Sequence, residues 1–216
     1  MKDLGMLKYF LGIEVARTQE GIFLCERKYT LDIISKSGLF GAKPTTFPME
    51  QNHHLGDSIS LPLKDVERHL KLVGRLIYLT FTHPDLSFAV HILSQFMHAP
   101  RQDHWSASFR VVRYLKGCPG QGIFLSSSCN LYLSGWCDTD WASCPATRRS
   151  VFGWMVFLDG SPVSWKTKKH VTVAHSFTEV EYRPMDVVTY ELKWLKGLLN
   201  SLGISHPTEV TLFCDG

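Results

Sequence analysis

The chain has 216 residues, of which 44% are hydrophobic and 20% charged, and its formal net charge is +3 at pH 7. These values are typical of a folded protein with a hydrophobic core and exclude a disordered or fibrous chain. No run of about 18 apolar residues occurs, so the sequence predicts no transmembrane helix and no membrane partner. Because Met1 to Gly5 lack an apolar segment, we expect an intracellular protein that is not secreted.

Six cysteines occur without a Cys-x-x-Cys pair or another spacing typical of metal ligands. In a chain of this size with no secretion signal, we expect reduced thiols rather than a disulfide framework. The cysteines are Cys25, Cys118, Cys129, Cys137, Cys144 and Cys214.

The chain begins with a pattern that predicts a β-hairpin followed by a short helix. Apolar alternation in residues 8–15 and 22–27 predicts two strands joined by a turn before the second. Thr30 is expected to cap a helix that ends at Gly38.

The next segment, residues 43–63, is polar and rich in proline, which predicts a loop. Apolar residues at helical spacing then predict three helices, over residues 70–81, 86–96 and 105–115. Beside the last apolar stripe, Arg110, Arg113 and Lys116 recur every three residues and form a basic ridge. Such a ridge is either a solvated helix face or a surface that contacts phosphates.

After Gly120 the pattern changes to strands and one long helix, in the order β-β-β-α-β. The predicted strands are 131–137, 152–158, a broken strand 163–165 with 171–174, and 210–214, and the helix is 178–202. The sequence therefore predicts an α/β chain, α+β overall, with a boundary in residues 118–128. We place the cut between a mainly helical domain, 1–118, and a sheet domain, 119–216.

Three acidic residues lie at the ends of the elements predicted in residues 119–216. Asp138 is predicted to follow the first strand, Glu181 to open the long helix, and Asp215 to follow the last strand. Functional groups collect beyond strand ends in open sheets. Carboxylates brought together repel one another unless a cation neutralises them, and Mg²⁺ prefers oxygen ligands. Two such ions can promote phosphodiester hydrolysis.

A purely structural interpretation of the same acids stays open. Thr178 and Glu181 have the spacing of a capping box, in which Glu181 would bond to the Thr178 backbone. Asp138 and Asp215 would then be turn residues. Spacing alone favours this interpretation.

Two groups of ordered motifs cover nearly the whole chain. The first group is Met1–Gly5, Leu7–Val15, Leu72–Thr80, His83–Val90, Leu93–Met97 and Arg113–Gly117, and the second is Gly135–Ala142, Arg148–Ser150, Val163–Lys166, Thr178–Tyr182 and Phe213–Asp215. Together they resemble the C-terminal part of a copia-type retrotransposon Pol polyprotein. The first group resembles the end of its reverse-transcriptase palm, the thumb and the connection region, and the second group resembles its ribonuclease H domain.

The resemblance implies a ribonuclease H-like fold and Mg²⁺-dependent cleavage of the RNA strand of an RNA–DNA hybrid. In the family, the acids that match Asp138, Glu181 and Asp215 hold two Mg²⁺ ions. Glu181 matches the family's helix-opening glutamate better than Glu179, and Asp140 is expected to be structural or to support the site indirectly. The ridge of Arg110, Arg113 and Lys116 would steer the hybrid's phosphates.

The chain departs from the family pattern in three places. The polymerase motif Tyr-x-Asp-Asp does not occur, so no polymerase activity is expected. The chain ends one residue after Asp215, before the fourth acidic ligand and the last helix of the family. Pro184 lies within the long helix, where a proline costs about 3 kcal/mol. We therefore expect impaired cleavage, with a non-catalytic remnant or nucleic-acid-binding module as the alternative.

Overall fold

The protein is described by a computed structural model that covers residues 5–51, 53–141, 147–173, 176–206 and 209–214. The chain divides into a first unit, Met1–Leu125, and a second unit, Ser126–Gly216. Within the described ranges there are two four-stranded sheets and five α-helices. The predicted α+β class is therefore confirmed.

The first unit opens with three antiparallel strands, β1 (Tyr9–Phe10), β2 (Ile13–Arg17) and β3 (Gly21–Cys25). The first predicted strand is divided into β1 and β2 because Leu11 and Gly12 adopt positive φ angles of 49° and 88°. The two residues form a tight turn, which glycine tolerates without steric cost.

A fourth strand, β4 (Gly122–Ser126), lies beside β3 in the first sheet and was missed by the sequence analysis. The two strands approach closely at glycines: a Cβ atom on Gly21 would collide with the Leu125 carbonyl, and one on Gly122 with the Leu24 carbonyl. Because β4 belongs to this sheet, the division between the units falls after Leu125 rather than directly after residue 118.

Four helices build the core of the first unit. They are α1 (Arg27–Lys36), α2 (Val66–Leu79), α3 (Ser87–Ser94) and α4 (Gln102–Gly117). The three helices predicted after the loop are confirmed. Helix α1 starts earlier than predicted, and Thr30 is a buried residue within it rather than its cap. The apolar residues predicted on one face of each helix pack together in a single core, in which Ile33, Leu76, Leu93 and Leu115 are fully buried.

The second unit has the predicted order β-β-β-α-β. Its elements are β5 (Leu133–Asp140), β6 (Val151–Leu158), β7 (Ser161–Lys169), α5 (Phe177–Ser201) and β8 (Thr211–Cys214). The strand order is β7-β6-β5-β8, antiparallel except for the parallel pair β5 and β8. Strand β7 is continuous, and residues 171–173 lie outside it; Ala174 lies outside the described residues.

Helix α5 packs on one face of this second sheet. Leu133 and Cys137 of β5 join Val188 and Leu192 of α5 in a buried cluster. Gly135 allows the close approach, since a Cβ atom there would lie 2.8 Å from Val188 Cγ1. Because side chains alternate along a strand, the odd-numbered residues of β5 face α5 and the even-numbered ones face away.

The start of α5 differs from the prediction. Its N-cap is Ser176, whose side chain accepts a hydrogen bond from the Glu179 backbone N–H at 3.1 Å. The helix continues through Pro184, which is buried within it. At 25 residues α5 is the longest described helix, yet none of the described helices has the length and apolar character needed to cross a membrane.

Candidate functional site

Asp138 lies within β5 rather than after it. It pairs with Gly153 of β6, so the interpretation as a turn residue is wrong. Its position in the strand alternation places its side chain on the face away from α5, together with Trp136 and Asp140. The side chain is exposed, and its Oδ1 accepts a hydrogen bond from the Thr139 backbone N–H at 2.7 Å. Asp138 therefore presents a carboxylate to solvent near the end of a rigid strand.

Asp140 shares this strand face with Asp138. The pKa of Asp140 is raised from its ordinary value, first by partial burial and then by the negative charge of Asp138. The two residues are two positions apart on one strand, so their side chains lie on the same face and their negative charges repel one another. This end of β5 thus carries two acids without a described cationic side chain bonded to either of them.

Glu181 lies in the second turn of α5 and is half-buried. The capping box is absent, because Ser176 rather than Thr178 is the N-cap. The neighbouring acid, Glu179, accepts a hydrogen bond from Arg183 at 2.7 Å. Glu181 has no hydrogen bond or ion pair with any residue that the structure describes. This difference supports Glu181 over Glu179 as the functional acid.

The topology brings Glu181 and Asp138 to the same level of the second unit. Strands β7 and β8 both run parallel to β5, so the connecting helix α5 runs antiparallel to them. Val188 lies over Gly135. Going back from Val188 to Glu181 covers about 10.5 Å of helix, and going on from Gly135 to Asp138 covers about 10 Å of strand. Both carboxylates therefore reach the C-terminal end of β5, although Asp138 faces away from the helix.

The third predicted acid, Asp215, lies outside the described residues. Strand β8 is described as far as Cys214, which pairs with Cys137, the residue before Asp138. Among the described ranges, no group of three or more His, Cys, Asp or Glu side chains is arranged to hold a metal ion. A shared metal site of Asp138, Glu181 and Asp215 stays a prediction.

In the first unit, the basic ridge of α4 contacts the preceding loop, residues 40–50. The contacts are Arg110 Nη1 to Glu50 Oε1 at 2.9 Å, Arg113 Nε to the Lys43 carbonyl at 3.0 Å, and Lys116 Nζ to the Ala42 carbonyl at 2.6 Å. Each cation thus bonds to the protein itself and holds the loop on α4. A contact of the same residues with nucleic acid stays a prediction.

Two features of the described structure were missed from the sequence. The first is Glu26, a fully buried acid whose carboxylate accepts a hydrogen bond from Thr82 Oγ1 at 3.2 Å. Burial raises its pKa from 4.5 to about 7, and the Thr82 hydrogen bond lowers it in part. Glu26 directly precedes α1, and nothing in its sequence environment distinguishes it from an exposed acid.

The second is a disulfide between Cys137 and Cys214, so the expectation of reduced thiols is wrong for this pair. The other described cysteines, Cys25, Cys118 and Cys129, are free, and Cys144 lies outside the described residues. A sequence signal did exist. Cys137 and Cys214 are each the last residue of a predicted strand, and each is followed by an aspartate. If these two strands pair in parallel with their ends aligned, the two cysteines become neighbours.

Comparison with known proteins places the chain among retrotransposon polyproteins. It is 44% identical to the retrovirus-related Pol polyprotein from transposon RE2 of Arabidopsis thaliana over 217 residues, which cover all of this chain and 15% of that protein. It is 40% identical over 215 residues to the polyprotein from transposon RE1 of the same plant, again covering all of this chain and 15% of that protein.

A shorter relative has nearly the same extent as this chain. The uncharacterized mitochondrial protein AtMg00810 of Arabidopsis thaliana is 39% identical over 195 residues, covering 90% of this chain and 80% of that protein. No family model matches the chain. No solved structure matches it either. The chain therefore belongs to the family of retrovirus-related Pol polyproteins of copia-type retrotransposons.

Proposed function

We propose that the second unit is a ribonuclease H-like domain that hydrolyses the RNA strand of RNA–DNA hybrids with Mg²⁺. The observation that carries this proposal is the position of Glu181, a carboxylate without a described partner on the helix that crosses the sheet, level with Asp138 on β5. The β-β-β-α-β order and membership of the Pol polyprotein family support the same function.

The donor set at this end of β5 fits a hard divalent cation. The acids at this end, Asp138 and Asp140 of β5 and Glu181 of α5, offer carboxylate oxygens, which Mg²⁺ prefers, and the sulfur atoms of the neighbouring Cys137 and Cys214 are bonded to each other. Asp138 and Glu181 reach the same end of β5 from opposite faces of the sheet, and with Asp215 they would be the ligands that the family resemblance implies, meeting at the end of the strand. A bound divalent cation would supply charge neutralisation at the scissile phosphate and would activate a water molecule.

The protein's own contribution is to fix the positions of these carboxylates. Asp138 is held by its pairing with Gly153 in the β5–β6 ladder, and the residue before it, Cys137, is paired with Cys214 of β8. Glu181 is held by a long helix whose buried residues, Val180 and Val188, flank it on the sheet side. Ligands on strands and helices are held more tightly than ligands on loops, which lowers the entropic cost of binding an ion.

Pro184 is expected to weaken the proposed activity without removing it. It lies three residues after Glu181 and has no N–H to donate to the Val180 carbonyl. A proline inside a helix costs about 3 kcal/mol, through the lost hydrogen bond and steric conflict. The helix remains continuous, so Glu181 keeps its place while the turn around it loses rigidity. This is the physical basis for impaired cleavage.

A second candidate function is nucleic-acid binding without turnover. It is favoured by one observation, namely that Pro184 lies inside α5, three residues after the proposed ligand Glu181. This candidate predicts that the protein binds an RNA–DNA hybrid with an affinity that falls steeply with salt concentration, because binding releases counterions from the phosphates. It predicts no cleavage at any Mg²⁺ concentration.

The two candidates are separated by a cleavage assay with the full chain, an RNA–DNA hybrid and Mg²⁺. We expect slow cleavage by the unmodified protein and a loss of at least about 100-fold on Asp138→Asn, because a ligand is removed without a change of shape. The matched control is Asp186→Asn, an exposed acid of α5, which should leave the rate unchanged. Hybrid binding without cleavage would favour the second candidate. Equal rates for Asp138→Asn and the unmodified protein would exclude Asp138 from the site.

A further inference from the structure

The disulfide joins the edge strand of the second sheet to its neighbour. Cys137 and Cys214 are register partners in the parallel pair β5 and β8, and their Cα atoms are 5.1 Å apart. This spacing lies within the range of ordinary disulfides, so the two strands need not move for the bond to form. Cys137 is 5% exposed and Cys214 is exposed. Small thiols and disulfides can therefore reach the pair from the side of Cys214.

Among the described residues, few other contacts hold β8 in place. It is an edge strand of only four residues, and of the strands that the structure describes it pairs with β5 alone. At its N-terminal end, the Tyr132 hydroxyl donates a hydrogen bond to Thr211 Oγ1. Leu212 packs against the core, and Phe213 stacks on Trp136 with ring centroids 4.2 Å apart. The covalent bond lies at the opposite end from the Tyr132 contact. Without it, the C-terminal end of β8 depends on a short ladder and one exposed ring stack.

We propose that Cys137 and Cys214 form a redox-controlled clamp that fixes edge strand β8 on the sheet. The oxidant is a low-molecular-weight disulfide such as oxidised glutathione. The Cys214 thiolate attacks it, breaks its S–S bond, releases one glutathione thiolate and forms a mixed disulfide. The Cys137 thiolate then displaces the second glutathione thiolate and closes the protein disulfide. Two protein thiols are thereby oxidised by two electrons, and one glutathione disulfide is reduced to two glutathione thiols.

The clamp also bears on the candidate site, and this consequence rests on the proposed function. Cys137 directly precedes Asp138, so the disulfide fixes the β5–β8 register at the position next to a proposed metal ligand. In the sequence, Cys214 is likewise followed by Asp215. The oxidised protein is thus the form in which the site is best ordered. Reduction releases β8 and lowers the rate of hybrid cleavage.

The test compares the full chain in reduced and oxidised glutathione buffers. Peptide mapping without reductant should identify the Cys137–Cys214 peptide, and intact mass should show the loss of two hydrogens on oxidation. Hydrogen exchange should then show that the β8 amides, residues 211–214, lose protection by about tenfold or more on reduction, because local opening exposes them to solvent. The Cys214→Ser variant should match the reduced protein in both buffers.

A matched control comes from the same unit. Cys129 is half-buried and free, so Cys129→Ser should keep the response of the unmodified protein. Failure to form the bond at any glutathione ratio, or unchanged β8 exchange on reduction, would overturn the clamp. Hybrid cleavage is measured on the same samples. If neither redox form cleaves, the proposed function fails while the exchange data still decide the clamp.

Discussion

The two units of this chain differ in how some of their charged side chains are bonded. In the first unit, the cations of α4 bond to the loop at residues 40–50, and the buried acid Glu26 accepts a hydrogen bond from Thr82. In the second unit, Glu181 has no described partner, and the one hydrogen bond of the Asp138 side chain within the described part of the chain is to the backbone N–H of Thr139. The hydrogen bonds of the α4 cations stabilise the first unit, whereas burial makes the charge of Glu26 costly, because its Oε2 has no described partner. Charges left unsatisfied near a strand end indicate where a ligand would bind.

The strongest test of this contrast compares Glu181→Gln with Glu179→Gln. Both changes keep the shape of the side chain and remove its charge. We expect hybrid cleavage to fall at least about 100-fold for Glu181→Gln, through loss of a metal ligand. Glu179→Gln removes an i,i+4 ion pair with Arg183, so it should lower stability by at most about 0.5 kcal/mol and leave cleavage intact. Equal losses of cleavage for the two variants would contradict the assignment.

Glu26 provides a pH-dependent test in the first unit. Its pKa in the folded protein is about 7, above the ordinary value of 4.5, so the folded state binds the proton more tightly than the unfolded state. The contribution of protonated Glu26 to the free energy of unfolding is fully present below pH 4.5 and is lost as the pH rises through 7. Glu26→Gln stays neutral throughout, and its Oε1 can still accept from Thr82. We expect it to be more stable than the unmodified protein above pH 7, by up to about 3 kcal/mol.

The measurement is urea denaturation between pH 4 and pH 9. The gain from Glu26→Gln should shrink towards zero at the acidic end of this range. Glu20→Gln, at an exposed turn residue, serves as the control and should give nearly parallel curves. A constant difference between Glu26→Gln and the unmodified protein at every pH would show that Glu26 is not the titrating group.

Two glycines of the second sheet test how tightly α5 is held. A Cβ atom on Gly135 would lie 2.8 Å from Val188 Cγ1, whereas one on Gly153 would meet nothing nearer than the Lys166 carbonyl at 3.9 Å. Gly135→Ala should therefore destabilise the protein by about 2 kcal/mol through overpacking. Gly153→Ala should be neutral or slightly stabilising, because alanine restricts the unfolded chain. Thermal and urea unfolding measure both, and equal effects would show that α5 is not packed closely on β5.

The smallest expected effect distinguishes the two interpretations of the basic ridge. Lys116→Met keeps most of the side-chain stem but removes the hydrogen bonds to the carbonyls of Phe40 and Ala42. We expect a loss of about 1 kcal/mol in stability, the usual net value of such a contact. If Lys116 instead contacts phosphate, the affinity for the hybrid will fall. The slope of log affinity against log salt concentration will then decrease in magnitude by about one. The exposed Lys71 of α2, changed to Met, is the control.

Periodicity predicted the regular elements well where one face of each is buried. The stripes of α2 and α4 and the β-β-β-α-β order of the second unit could be derived from apolar spacing alone. Strand β4 was missed because Gly122–Ser126 is short and does not alternate. The start of α5 was misplaced because Ser176 and Thr178 are both favourable N-cap residues, and the path of the chain selects Ser176.

The candidate site could be predicted only in part from the sequence. Asp138 and Glu181 were chosen by their places in the element order, and that choice led to residues at the same end of one sheet. Their solvent exposure, the Glu179–Arg183 pair beside them and the Cys137–Cys214 bond were not predictable. Each depends on a partner that is distant in sequence or on the direction in which a side chain points.

The amino-acid sequence by itself determined which segments become helices and strands, and which family the protein belongs to, because hydrophobic periodicity and motif order are properties of the linear chain. The tertiary structure alone decided which charges are satisfied. Arg110 and Lys116 bond to a loop, Glu26 is buried beside Thr82, and Glu181 has no described partner. Burial and pairing arise only when segments far apart in sequence pack together, and desolvation then sets the energetic cost of each charge.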